Sequence, residues 1–171
     1  MNQKLLEAVK KQINAEFYSA YLYLSMSSWC EHEGFKGMAH WMRIQAQEEQ
    51  THAITLHNQL IERGERSTFE VIEKPSQIWE SPLKMFEQVL DHEKNVTSMI
   101  NNLATISLEE KDHAFYGFIQ MFVKEQVEEE ANASDICTRL KRAENNAMLL
   151  EMLDKELGTR IFTPSFSKEA L

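Results

Sequence analysis

Four long stretches of this chain carry apolar side chains at spacings of three and four, and each breaks that stripe near its middle with polar, metal-capable side chains. In the first, Leu6, Val9 and Ile13 meet Glu16 before the series resumes at Ala20 and Tyr23. In the second, Met38 and Met42 lead through Gln45 to Glu49 and His52, and then to Leu56 and Leu60. In the third, Leu83, Phe86 and Leu90 are followed by Glu93, and then by Val96, Ile100 and Leu103. In the fourth, Phe115, Phe118 and Phe122 are followed by Gln126 and Glu129, and then by Ala133, Ile136 and Leu140. Long stripes of this period bury one face each, so an all-α chain built as a four-helix bundle is the expectation.

The boundaries follow from local signals. The first helix is expected over about residues 3–32, broken by Gly34 and Gly37, and the second over 38–63, stopped by Gly64. Ser81 and Pro82 open the third as N-cap and first helical residue, and it is expected to end near 105. "SLEE" (107–110) reads as a capping box for the fourth. A short fifth helix is expected over 145–157, capped by Asn145 or Asn146 and closed by Gly158, with a tail over 159–171. The whole chain, 1–171, reads as a single domain with its bundle over about 3–142. Only 5 Gly and 3 Pro among 171 residues fit so much helix.

Residues 65–81 are the exception. "STFEVIE" (67–73) alternates like a short strand, and two prolines follow. Extended, this connection spans about 55 Å, whereas a helix of the lengths read here is about 40 Å long. It is therefore a long crossover that can run the length of the bundle and start the third helix at the far end.

Charge and patterning exclude several classes. With 18 Lys and Arg against 27 Asp and Glu, the net charge is -9, which argues against a nucleic-acid partner and suits the attraction of cations. No apolar run is long enough for a membrane span, and "MNQKLLEAVKKQ" is charged from the outset, so no signal peptide and no membrane are expected. Cys30 and Cys137 form no CxxC and read as free thiols of a cytoplasmic protein.

The interruptions share a height. The midpoints of Glu16 with Glu49 and with His52 fall at about 32–34, by the first turn, and those of Glu93 with Gln126 and with Glu129 at about 110, by the second; antiparallel helices rise equally per residue, so each pair lies level. Glu49 and His52, three apart, share one helix face. Buried carboxylates at one level repel unless neutralised, and a pair of divalent cations would cancel that charge. Carboxylates with a single imidazole suit iron or manganese better than thiolate-preferring metals.

With these residues in view, the chain resembles the non-haem bacterial ferritins, whose di-metal bundle site is a standard example of the architecture. "NAEFYSAYLYLSM" (14–26), "QAQEEQTH" (45–52), "DHEKNV" (91–96) and "KEQVEEE" (124–130) look like that family's four site motifs. The resemblance implies that Glu16, Glu49 and His52 bind one iron, that Glu49 bridges to a second, and that Glu93 and Glu129 complete it, with Gln126 nearby. Tyr23 resembles the family's tyrosine beside the pair, an electron donor there; a core tyrosine with a bonded hydroxyl is the alternative. Glu48, Glu125 and Glu128, sharing Glu129, match a third iron site, against the plainer reading of a solvated acidic face.

The implied activity is that of a ferroxidase: two ferrous ions per subunit are oxidised by dioxygen or peroxide and stored as ferric mineral inside a homo-oligomeric shell of twenty-four subunits. The fourth helix offers Gln-x-x-Glu where bacterioferritins repeat Glu-x-x-His, so no haem is expected. Where animal ferritins line their threefold pores with carboxylates this chain has Tyr116 and Ile119, and where they nucleate mineral it has Thr51 and Ile54, so the resemblance supplies neither the iron route nor the nucleation site. The alternative reading is a di-iron peroxidase resembling rubrerythrin, without the CxxC electron-transfer centre such proteins carry. A di-iron oxygenase subunit, a non-enzymatic scaffold and a twelve-subunit mini-ferritin fit less of the pattern.

Overall fold

The computed structural model of the chain describes residues 1–163, so the rest of the expected tail lies outside the described residues. Five helices follow one another: α1 (Gln3–Glu33), α2 (Lys36–Glu62), α3 (Pro82–Glu109), α4 (His113–Ala143) and α5 (Ala147–Leu157). α1 and α2 form one antiparallel hairpin and α3 and α4 another. The crossover climbs alongside α1: Asn14 donates to the Val71 carbonyl (3.4 Å), Ser25 to that of Ser76 (2.6 Å), and the Trp29 and Trp79 rings meet edge to face. α3 therefore begins where α1 ends, and Ser81 caps it by accepting from the Lys84 amide, with Pro82 next, as the sequence indicates.

Local readings fail at three places, each for a tertiary reason. "STFEVIE" forms no strand; it lies against α1 and α2, no strand exists among the described residues for it to pair with, and the Phe69 ring stands 6.3 Å from that of Phe17 and 5.9 Å from that of His57. "SLEE" is not a capping box. α3 runs on to Glu109, and Ser107 is buried inside it, donating to the Ala104 carbonyl. Asp112 caps α4 instead, accepting from the Phe115 amide (3.1 Å) while Arg63 of the other hairpin grips its second oxygen at 2.6 Å. Gly34 does end α1, in the left-handed conformation (φ 89°), but Gly37 lies within α2. Its role is close approach: a Cβ there would sit 1.6 Å from the Asp154 carbonyl oxygen of α5.

That approach matters because α2 begins without a side-chain cap of its own. The Asp154 carboxylate supplies one from α5, accepting from the Gly37 (3.1 Å) and Met38 (2.8 Å) amides, where a negative charge also complements the helix dipole. α5, itself capped by Asn146, is thus locked across the start of α2.

The apolar interior divides in two. Toward α5, Leu22, Met26, Met38, Met42, Phe86 and Leu140 cluster with Leu153 and Leu157. Toward the other end, Leu5, Val9, Ile13, Leu56, Ile100, Phe115 and Phe122 form a second cluster. Between them lies a belt of buried polar side chains drawn from all four long helices: Gln12, Glu16, Gln45, Glu49, His52, Glu93, Gln126 and Glu129. The stripes drift by a residue at their ends, so Val89 and Ile119 are buried where Leu90 and Phe118 are only partly so. No helix among the described residues is long and apolar enough to cross a membrane. Cys30 and Cys137 are free and buried.

Candidate metal centre

One helical turn places Glu49 and His52 on the same inward face of α2, and α1 brings Glu16 level with them. One ligand atom from each of the three lies within 4.8 Å of the others. His52 Nδ1 is 3.5 Å from Glu49 Oε2, and the ring's edge packs on Phe122. On the opposite hairpin, Gln126 Nε2 donates to Glu93 Oε2 (3.2 Å) and to the Glu93 carbonyl (3.3 Å), joining α4 to α3. Tyr23 reaches across from α1 and donates its hydroxyl to Glu93 Oε1. Glu129 accepts from Gln45 Nε2 at 3.1 Å, tying α4 to α2.

The carboxylates are only 1–5% exposed. Burial, with the neighbouring Glu49, holds the Glu16 carboxyl well above its usual range. Burial likewise pushes Glu49, Glu93 and Glu129 up to about 7, with like-charge repulsion from Glu129 adding to the rise at Glu93 and from Glu48 to that at Glu129. For His52, burial opposes the charged ring, but hydrogen bonding to Glu125 and Glu49 prevails and leaves the imidazole more basic than usual. Burial and the nearby Glu93 hold the Tyr23 phenol neutral, consistent with its donating rather than accepting.

The donor set fits divalent cations. Buried Glu16 Oε2 has no hydrogen-bond partner, a costly arrangement unless a cation takes that lone pair. Its other oxygen accepts from Gln12 Nε2 at 2.8 Å, so the carboxylate is held in place beside Glu49 and His52 with one lone-pair oxygen to spare. Oxygen donors with one imidazole are the set that iron and manganese prefer.

The auxiliary residues are arranged less uniformly. Glu125 is half-buried, with Oε1 3.3 Å from His52 Nε2, so it stands beside the central group. Glu48 is buried and ion-paired at 2.6 Å with Arg160, a residue beyond α5. Glu128 is exposed. Of the positions compared with pores, Ile119 is buried in the core, which removes it from any channel lining, and Tyr116 is partly exposed; Thr51 is partly exposed and Ile54 is exposed.

Sequence reading missed three residues that organise the site. Gln12 was legible in principle, being one turn before Glu16. Gln45 lay in the stripe but carried no sign of its bond to Glu129. Arg160 follows the last helix in a segment without periodicity, so nothing local marks it.

The chain matches the ferritin-like domain family over residues 6–143. It is 42% identical over 160 residues to a bacterial non-heme ferritin of Bacteroides fragilis, covering 94% of this chain and 99% of that protein. Among solved structures it is similar to an open pore ferritin from the archaeon Archaeoglobus fulgidus (TM-score 0.93, 47% identity, 94% of this chain and 99% of that one). It is also similar to a humanized archaeal ferritin (TM-score 0.95, 49% identity, 96% and 99%). With the family match spanning residues 6–143 and a relative 42% identical over nearly the whole length of both chains, the chain belongs to the ferritin-like family.

Proposed function

We propose that this chain is an iron-storage ferritin subunit with ferroxidase activity, acting in the cytoplasm as a homo-oligomeric shell of twenty-four copies. The observation that carries the reading is the convergence of Glu16, Glu49 and His52 on one point, level with a second carboxylate group across the bundle. Two ferrous ions are the substrate. Glu16, Glu49 and His52 hold the first; Glu49, Glu93 and Glu129 hold the second, with Gln126 orienting Glu93. Each ion gives up one electron, so dioxygen with two protons becomes hydrogen peroxide, or peroxide with two protons becomes two waters.

The residues around the pair serve that step. Glu49, Glu93 and Glu129, with pKa values of about 7, carry protons near neutrality and release them as cations bind, leaving acid equivalents at the site. The two apolar clusters wall the belt off above and below. Tyr23, bonded to Glu93, stands within reach as an electron donor. Glu48, Glu125 and Glu128 with Glu129 form an auxiliary cation site beside the pair, through which ferric iron leaves for the cavity.

Glu49→Ala tests the assignment. It removes the residue shared by both ions, and rapid ferrous oxidation, followed by the ferric absorbance, should be lost while the native mass stays near twenty-four chains. Wild-type initial rates in this variant would show that Glu49 does not bridge, and a small native mass for the unmodified protein would rule out the shell.

A further inference from the structure

The most unusual residue near the belt is a cation that the bundle does not supply. Arg160 lies beyond α5 and folds back over α2. Its guanidinium is 4.7 Å from the centre of the Trp41 ring, one nitrogen pairs with Glu48 Oε2 at 2.6 Å, and the other donates to Gln45 Oε1. His40 Nε2 donates to the Arg160 carbonyl at 2.8 Å, fixing the backbone as well. The Gln45 amide, held at its oxygen by Arg160, turns its nitrogen toward Glu129 Oε2 at 3.1 Å. A chain of contacts thus runs from Arg160 through Gln45 to a carboxylate of the central group.

We propose that Arg160 is a built-in counter-cation: its guanidinium holds the place beside Glu48 that a third divalent cation needs, so that cation binds only by displacing it. This rests on reading Glu48 and Glu125 as an auxiliary site. A buried carboxylate demands a positive partner, and Arg160 satisfies Glu48 whenever no metal does. The displaced side chain has somewhere to go, for it borders an open groove that also includes Asn132, Asp135 and Glu156. The anchor is firm, because α5 is locked to α2 by Asp154 and by the Gly37–Gly158 approach, six and two residues before Arg160. Arg160 therefore sets how tightly the auxiliary site holds its cation, and so how readily that cation is passed on, without touching the ligands of the pair directly.

Calorimetric titration of the metal-free assembled protein with zinc, which is redox-inert, tests this. Wild type should show a tight class of ions at the pair and a weaker auxiliary class. In Arg160→Ala the auxiliary class should tighten at least tenfold, since a competing full charge has gone, while the tight class moves less than threefold. Arg160→Lys, which keeps the charge, should stay within threefold of wild type throughout. Arg160→Ala combined with Glu48→Ala should lose the auxiliary class. An auxiliary class that vanishes with Glu48 yet has the same affinity with and without Arg160 overturns the counter-cation role and leaves the auxiliary site standing. Absence of any auxiliary class in either protein overturns both. Should Arg160→Ala fail to assemble, Arg160→Gln carries the same comparison, with the same two overturning results.

Discussion

Glu49→Gln should stabilise the metal-free protein at pH 8, although it removes a residue assigned to the centre. Glu49 is buried and its carboxyl is pushed from 4.5 to about 7, chiefly by burial. Its folded pKa is thus raised, so the stability it contributes is fully present below pH 4.5 and is lost as pH rises through about 7. At pH 8 the folded state must hold a carboxylate that the unfolded chain ionises at no cost. The difference of about 2.5 pKa units corresponds to about 3 kcal/mol per subunit. Gln has the same shape and cannot ionise. It keeps one carbonyl acceptor but forfeits the attraction between Glu49 and the His52 ring, 3.5 Å away, which offsets part of the gain. The net expectation is about 1–3 kcal/mol, or a rise of roughly 2–10 °C in Tm for a chain of this size. Differential scanning calorimetry in chelator at pH 8 and at pH 5 measures it, and the gain should shrink toward zero at the lower pH. Adding saturating zinc should reverse the order, because cations that bind only the folded state stabilise wild type more than the variant. A Glu49→Gln protein less stable than wild type at pH 8 in chelator would refute the claim that the belt carboxylates are a standing cost.

Three further outcomes are expected. Tyr23→Phe removes the hydroxyl bonded to Glu93; it should leave the number of tightly bound zinc ions unchanged and slow ferrous oxidation several-fold. Gly37→Ala puts a methyl group 1.6 Å from the Asp154 carbonyl oxygen, so α5 must lift away and the Asp154 cap is lost, costing about 2–4 kcal/mol and lowering Tm by several degrees. Replacing Glu48, Glu125 and Glu128 together with Ala should spare binding at the pair but change the ratio of iron oxidised to oxygen consumed, as read with an oxygen electrode.

The belt was legible in the sequence because two regularities met. A helical stripe names its own inward face, and equal rise per residue converts chain position into height, so Glu16, Glu49, His52, Glu93, Gln126 and Glu129 could be set at one level before any coordinates. The same reasoning carries no information about which end of one hairpin lies against which residue of another. Asp112 displaced "SLEE" as the α4 cap because Arg63, 49 residues away, grips it. Gly37 read as a helix breaker because the Asp154 backbone it accommodates is 117 residues distant in sequence. The alternation in 67–73 was real, but it marks a segment lying on α1, with Phe69 near Phe17 while Val71 points to solvent, and the described residues offer no second strand to pair. Arg160 is the extreme case, since its partners Glu48 and Gln45 lie more than a hundred residues back.

These long-range contacts bear on why the belt remains acidic. Most structural buried carboxylates are matched by an arginine or lysine from the same core. Here the buried polar side chains among the described residues include no lysine and no arginine, and the basic group inside the belt is the His52 ring. The bundle could have used the Arg43 guanidinium on α2, but that side chain turns outward to Glu31 at 3.0 Å. The guanidinium that does arrive, that of Arg160, pairs with Glu48 at the edge, donates to the neutral Gln45 amide, and comes from outside the four helices. Glu16, Glu49, Glu93 and Glu129 are left short of positive charge, and two apolar clusters on either side bear the cost of holding them in register. Such an arrangement is stable as a permanent structure only if protons or mobile cations complete it. Because burial sets three of the four carboxyls at about 7, protons occupy part of these sites at neutral pH and must leave when a cation takes their place.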